Sequence, residues 1–314
     1  MKICDPHFHM WDLPNVPNPN LGSDVKQNLP TYLATDYEAD VATLPADLQL
    51  TSRIHVETIV GQKEGEIIVD SLAESRWVYA QLEPSMDQYI SHLVAYVHLA
   101  RDTAAAERII EQHADASDGK LCGVRMILNH HPQNPELTWP QVESGDIMSS
   151  ALFREGLKLL DSNELAFDLS CNPHQIADAV KLFGDFPDLH VITNHLGFLH
   201  DSEGDAHEDL WRQGLHALAI LPNVYIKLSM LWFARNGFHS DDTKHSKVKE
   251  LVREVIEIFG TNRCMFASNY PVDKVMGIDF AHLYQMFFNW TEDLTEAERK
   301  DLFHDTAHRA YKLP

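Results

Sequence analysis

Eight short apolar runs, each followed by a helix-length segment, limit what this 314-residue chain can fold into. The runs begin with CDPHFHMWD at Cys4–Asp12 and RIHVETIV at Arg53–Val60. LVAYVHLA at Leu93–Ala100, LCGVRMIL at Leu121–Leu128 and LAFDLSC at Leu165–Cys171 follow. The series closes with LHVITNH at Leu189–His195, VYIKLSM at Val224–Met230 and RCMFASN at Arg263–Asn269. Strands that are apolar on both faces and alternate with helices belong to parallel sheets covered by helices. No glycine-rich phosphate loop follows the first run and no linker or change of composition divides the chain. The expected architecture is therefore a single (β/α)8 TIM barrel spanning residues 1–314, in preference to a doubly wound sheet. The helix starts are legible in places: Asn172-Pro173 offers a cap and a first-turn proline, and Thr295 with Glu298 forms a capping box.

Several of these runs end on a polar residue. His7 and His9 end the first, Glu57 lies late in the second, Arg125 in the fourth, His195 ends the sixth, and Asn269 ends the eighth. Lys227 lies within the seventh, with Tyr225 and Ser229 on its face. In such a barrel the C-terminal strand ends carry the active site, so these residues converge on one mouth. Strand alternation puts Asp5, His7 and His9 on one face, where two imidazoles can ligate a cation and a carboxylate can orient one of them. A cation inside an apolar strand needs an anion, so Arg125 and Lys227 either hold substrate or pair with Glu57 or Asp168. Trp11, Trp139 and Trp232 each follow a strand and either line the cavity or pack between loops. His200 and His207 sit among Asp201, Glu203, Asp205 and Glu208, a patch that reads as solvated surface rather than a second cation site.

A formal net charge of −22 argues against a nucleic-acid or anionic-membrane partner. No apolar stretch approaches the length of a membrane span, and no export signal opens the chain. Four well-separated cysteines, Cys4, Cys122, Cys171 and Cys264, fit reduced thiols and a cytoplasmic location. The expected partner is a small-molecule substrate, and homo-oligomerisation stays open. The Pro- and Asn-rich tract Leu13–Pro30 reads as a lid over the mouth.

DPHFHMWD in the first strand, NHLG at the end of the sixth, KLS in the seventh and FASNYPVD in the eighth resemble, in that order, the amidohydrolase superfamily. The resemblance is to its lactonase and 2-pyrone-4,6-dicarboxylate hydrolase-like group, and it reaches into the tail TEAERKDLFHDTAHRAYKL. It implies that His7, His9 and His195 are metal positions and that Arg125 and Lys227 hold a polar or anionic substrate. Two departures matter. Strand five ends in Ser170-Cys171 and strand four carries Arg125 where the superfamily has a His and a Lys, which argues against a binuclear site. Asn269 stands where the superfamily has a metal-binding Asp that activates water, and an amide cannot take that proton.

The expected activity is therefore opening of a sugar-acid or carboxylated lactone by water. One divalent cation, zinc or manganese, would assist, with metal-independent catalysis left open. Asp273, four residues beyond Asn269, is the first choice to move the proton, and Glu57 the second. Substrate contacts are expected from Arg125, Lys227, Tyr225 and Trp11. A decarboxylase or lactone isomerase using the same histidines, or a binder that has lost its base, are the alternatives.

Overall fold

Parallel pairing runs unbroken from the first strand to the last. The computed structural model describes residues 1–12, 31–58, 67–139 and 141–314; the expected lid, Leu13–Pro30, lies outside the described residues. Strands β1 (Lys2–Phe8), β2 (Gln49–Val56), β3 (Ile90–Tyr96), β4 (Leu121–Arg125), β5 (Ala166–Leu169), β6 (Val191–Thr193), β7 (Val224–Leu228) and β8 (Cys264–Phe266) form one eight-stranded sheet in sequential order. The sheet returns on itself just beyond β8: Asn269 N donates to His7 O at 2.7 Å, and His9 N to Tyr270 O at 2.6 Å. Helices α1 (Ala34–Val41), α2 (Ile67–Leu82), α3 (Thr103–Ala116), α4 (Ala151–Ser162), α5 (Ile176–Phe183), α6 (Asp205–Ala219), α7 (Asp242–Phe259) and α8 (Phe280–Trp290) follow the strands one by one. This is the expected (β/α)8 barrel.

The interior is narrow and filled by side chains of modest size: Cys4, Ile54, Val56, Val94, Cys122, Ala166, Ile192 and Met265. Tyr311 joins them from the C-terminal segment, whose helical turns Glu296–Lys300 and Thr306–Ala310 lead to the N-terminal end of the barrel. There His190 Nδ1 bonds Ala310 O at 3.0 Å and His308 Nε2 meets Ser52 Oγ at 2.8 Å. That end is plugged, which leaves the opposite end for the site. The capping box of Thr295 and Glu298 forms as expected. Helix α8 escaped the sequence reading although its signals are present: Asp279 caps it, and Phe280, Leu283, Tyr284 and Phe287 are buried at helical spacing.

Two departures from the strand pattern shape the mouth. Between Asp5 and Phe8 the register of β1 against β2 slips, so β1 advances three residues while its partner advances two, from Arg53 to His55. Pro6 lies inside this bulge, where it has no amide to give the ladder. The slip turns Asp5 outward while His7 and His9 face the mouth. The sixth, seventh and eighth ladders also stop short of the runs read from sequence, and His195, Met230 and Asn269 just beyond them have φ of +53°, +53° and +54°. A left-handed residue at each of three adjacent strand ends is a costly arrangement, of the kind that clusters at functional sites.

Candidate active site

His7 and His9 leave β1 with their rings edge to face, and their Nε2 atoms lie 3.2 Å apart. His9 Nδ1 is 2.7 Å from the carbonyl oxygen of Val56, so Nδ1 carries the proton and Nε2 presents its lone pair. His195 comes alongside, its ring centroid 4.4 Å from that of His7, and Ser229 Oγ meets its Nδ1 at 3.0 Å. Ser229, read from sequence only as sharing the face of Lys227, thus orients His195. Burial holds all three imidazoles well below their ordinary pKa, helped by the positive charges of Lys227 and Arg125, so they are neutral at physiological pH.

Both cations expected to hold substrate are already matched. Arg125 Nε donates to Glu57 Oε1 at 2.5 Å and Arg125 Nη2 to the Glu57 carbonyl at 2.6 Å, with both residues buried. Lys227 Nζ donates to Asp168 Oδ2 at 2.6 Å and lies 3.1 Å from His7 Nδ1. Tyr311 reaches up through the barrel to give its hydroxyl to Asp168 Oδ1 at 2.5 Å. Of the two sequence readings of these cations, the structure shows the ion pairs. Burial draws the Lys227 ammonium below its usual range against the pull of Asp168.

The β8 side holds two carboxyls in different settings. Asp5 does not orient an imidazole, as strand alternation suggested. Its carboxylate receives Ser268 N at 2.9 Å, Ser268 Oγ at 2.6 Å and Tyr37 OH at 2.8 Å, tying β1 to the end of β8 and to α1. Asp273, in the short turn of helix Val272–Val275, is 1% exposed and accepts from Asn269 Nδ2 at 2.6 Å. Burial pushes the Asp273 carboxyl up to about 8, against the lowering effect of Asn269 and Trp232. It is thus protonated at neutral pH, the state from which a carboxyl gives a proton and does not take one. Asn269 holds it in place. Among the remaining sequence candidates, Trp11 stacks beside His9 at 6.1 Å. Tyr225 packs on His190 at the plugged end, remote from the mouth. Trp232 beside Asp273 is the neighbour that carried no role in the sequence reading beyond lining the cavity.

Among the described residues, no three His, Cys, Asp or Glu side chains form a ready-made metal cluster. The His7 and His9 pair nevertheless fits a cation. A separation of 3.2 Å is roughly that of two ligands each about 2.0–2.1 Å from a tetrahedral zinc. His9 also has the outer carbonyl partner that ligating imidazoles use. His7 differs, since its second nitrogen faces an ammonium. Accepting from that ammonium leaves the proton of neutral His7 on Nε2, toward His9 Nε2, so the pair takes a single cation only once that proton has left, and among the described residues a closed three-imidazole cage is not preformed.

Comparison with known proteins follows the same lines. A family model described as amidohydrolase matches residues 4–313. An uncharacterized protein, y4mH, of Sinorhizobium fredii is 27% identical over 100% of this chain and 99% of its own. An L-fucono-1,5-lactonase of Burkholderia multivorans is 27% identical over 99% of this chain and 96% of its own. The crystal structure of a Burkholderia multivorans amidohydrolase with bound zinc superposes with a TM-score of 0.79 at 22% identity, covering all of both chains.

Proposed function

The chain belongs to the amidohydrolase family, and on that premise we propose that it is a lactonase that opens a neutral sugar lactone with water. Two observations support the reading. Similarity along nearly the whole chain to an L-fucono-1,5-lactonase speaks for the reaction. The pairing of Arg125 with Glu57 and of Lys227 with Asp168 speaks for the neutral substrate, because a carboxylated lactone would have to displace a buried anion from its cation.

The site residues divide the work by their protonation. His7 and His9, with His195 alongside, would hold a divalent cation, which would supply an acidified water and an electrophile for the lactone carbonyl. His9 keeps its proton on Nδ1 toward Val56 O and its Nε2 lone pair toward the mouth. Burial, reinforced by the charges of Arg125 and Lys227, keeps the three imidazoles neutral. Ring opening leaves an alkoxide that needs a proton, and Asp273 is a buried acid at the same mouth. The Asn269 amide occupies Asp273 Oδ2, which leaves Oδ1 to carry the proton.

Acid release from a panel of neutral aldono-1,5- and aldono-1,4-lactones, followed with a pH indicator and checked by product analysis, tests this reading. Ring opening well above the spontaneous rate is expected, with at most one divalent cation per chain by elemental analysis and less in His9→Ala. No acceleration with any neutral lactone, or a product of decarboxylation or isomerisation, would refute it.

A further inference from the structure

The loops after β4 to β7 enclose space that the reacting groups do not use. Two adjoining cavities of about 250 and 300 Å³ lie there, and they share His200, Ser202 and Phe233. One reaches Asn134, Asn172 and Trp139, and the other reaches Trp232, the residue beside Asp273. None of His7, His9, His195 and Asp273 is among the described residues that line either cavity, and the second cavity meets that side of the mouth at Trp232.

Its lining has a consistent chemistry. Trp139, Trp232 and Phe233 offer aromatic faces, and Phe233 is held edge to face by His200 at 4.2 Å. Asn172 is fixed at both ends of its amide, giving Nδ2 to Leu137 O and receiving Asn129 Nδ2, each at 2.9 Å. Asn134 is fixed likewise, accepting from Glu136 N at 3.1 Å and giving Nδ2 to Glu203 Oε1 at 3.3 Å. His200 Nδ1 receives the Ser202 amide at 3.2 Å, so its other nitrogen carries a proton to donate. Glu136 and Asp201 add negative charge, and no Lys or Arg is among the described residues that line either cavity.

Aromatic faces suit the C–H faces of a sugar ring, and fixed amides and an N–H donor suit hydroxyls, while the acidic rim repels anions. The geometry points to a subsite that binds the uncharged, hydroxyl-bearing carbons of the substrate outside its reacting ester group, with Phe233 and His200 as its specificity-determining residues. This rests on the lactonase reading for the reaction, but not for the binding.

The experiment has two arms for wild type, Phe233→Ala and His200→Ala. Both side chains are only partly buried, so shortening them opens no core void. The first arm takes kcat/KM for a hydroxylated aldono-1,5-lactone over that for unsubstituted δ-valerolactone. The ratio should fall roughly tenfold or more in each variant, since a site built around substrate hydroxyls discriminates strongly by them. An unchanged ratio overturns the subsite while leaving the lactonase reading intact. The second arm measures binding of a neutral, unreactive methyl pyranoside by saturation-transfer NMR. Binding that weakens in both variants supports the subsite even if no lactone is opened. Absence of binding to wild type, or equal binding in all three proteins, overturns it.

Discussion

The two sides of the barrel mouth are built differently. On the β1 and β8 side, Asp5, His7, Asn269 and Asp273 are each no more than 1% exposed, and Ser268, Tyr37 and Asn269 hold the two carboxyls. On the side of the loops after β4 to β7, Trp139, His200, Trp232 and Phe233 are only partly buried and line open cavities. The first side is fixed before substrate arrives, as chemistry that depends on sub-ångström placement requires. The second presents shape and hydrogen-bonding groups on loops, where specificity can vary without disturbing the reacting centre.

Lys227→Met, which removes the β7 ammonium facing His7, is the strongest way to break the fixed side. It leaves the Asp168 carboxylate fully buried with only the Tyr311 hydroxyl, and breaking such a pair typically costs about 3–5 kcal/mol. Urea unfolding should show that loss, and a loss under about 1 kcal/mol would mean that the pair does not hold the barrel interior. Asp5→Asn is milder. One of the acceptor positions now filled by Ser268 or Tyr37 becomes a donor, and leaving a buried group unsatisfied costs about 1–3 kcal/mol. Turnover should fall together with stability, because the same bonds position the end of β8; stability lost with kcat intact would separate the two. Ser229→Ala should do least. It removes one hydrogen bond to His195, worth about 0.5–1.5 kcal/mol, so kcat should drop severalfold with the melting temperature nearly unchanged. A change in stability without a change in kcat would make Ser229 a packing residue.

Much of the fixed side was legible in the residues themselves. His7, His9 and His195 were readable because a strand-end histidine in a barrel has one place to point, and all three meet at the mouth. Asp5 was misread because strict alternation carries no sign of the slip at Pro6 that turns it outward. The partners of Arg125 and Lys227 could be named only as alternatives, since pairing between strands that are not neighbours depends on barrel closure. Asp273 was found by its spacing from Asn269, but its protonation at neutral pH follows from burial, which spacing does not contain. The open side was least legible. Trp139, His200 and Phe233 come from three separate loops, and nothing in their sequence spacing says that they share a cavity. Tyr225 shows the same limit: the face of β7 was right, but its height along the barrel put it at the plugged end.

The most direct test is kcat against pH, from 6 to 10, on a neutral aldonolactone, for wild type and Asp273→Asn. The Asp273 carboxyl has its folded pKa raised to about 8 by burial, with Asn269 and Trp232 opposing and the Asp5 charge adding to the rise. It is therefore protonated below that pH and lost as an acid above it. The same sign applies to stability, which is fullest below the ordinary carboxyl value of 3.8 and declines as the pH rises from there to about 8. Wild-type kcat should fall as the pH passes about 8. Asp273→Asn should lie roughly 10²–10⁴-fold lower at neutral pH and lack that fall. A wild-type kcat that instead rises through the same range, or an Asp273→Asn enzyme as fast as wild type, would contradict Asp273 as the acid.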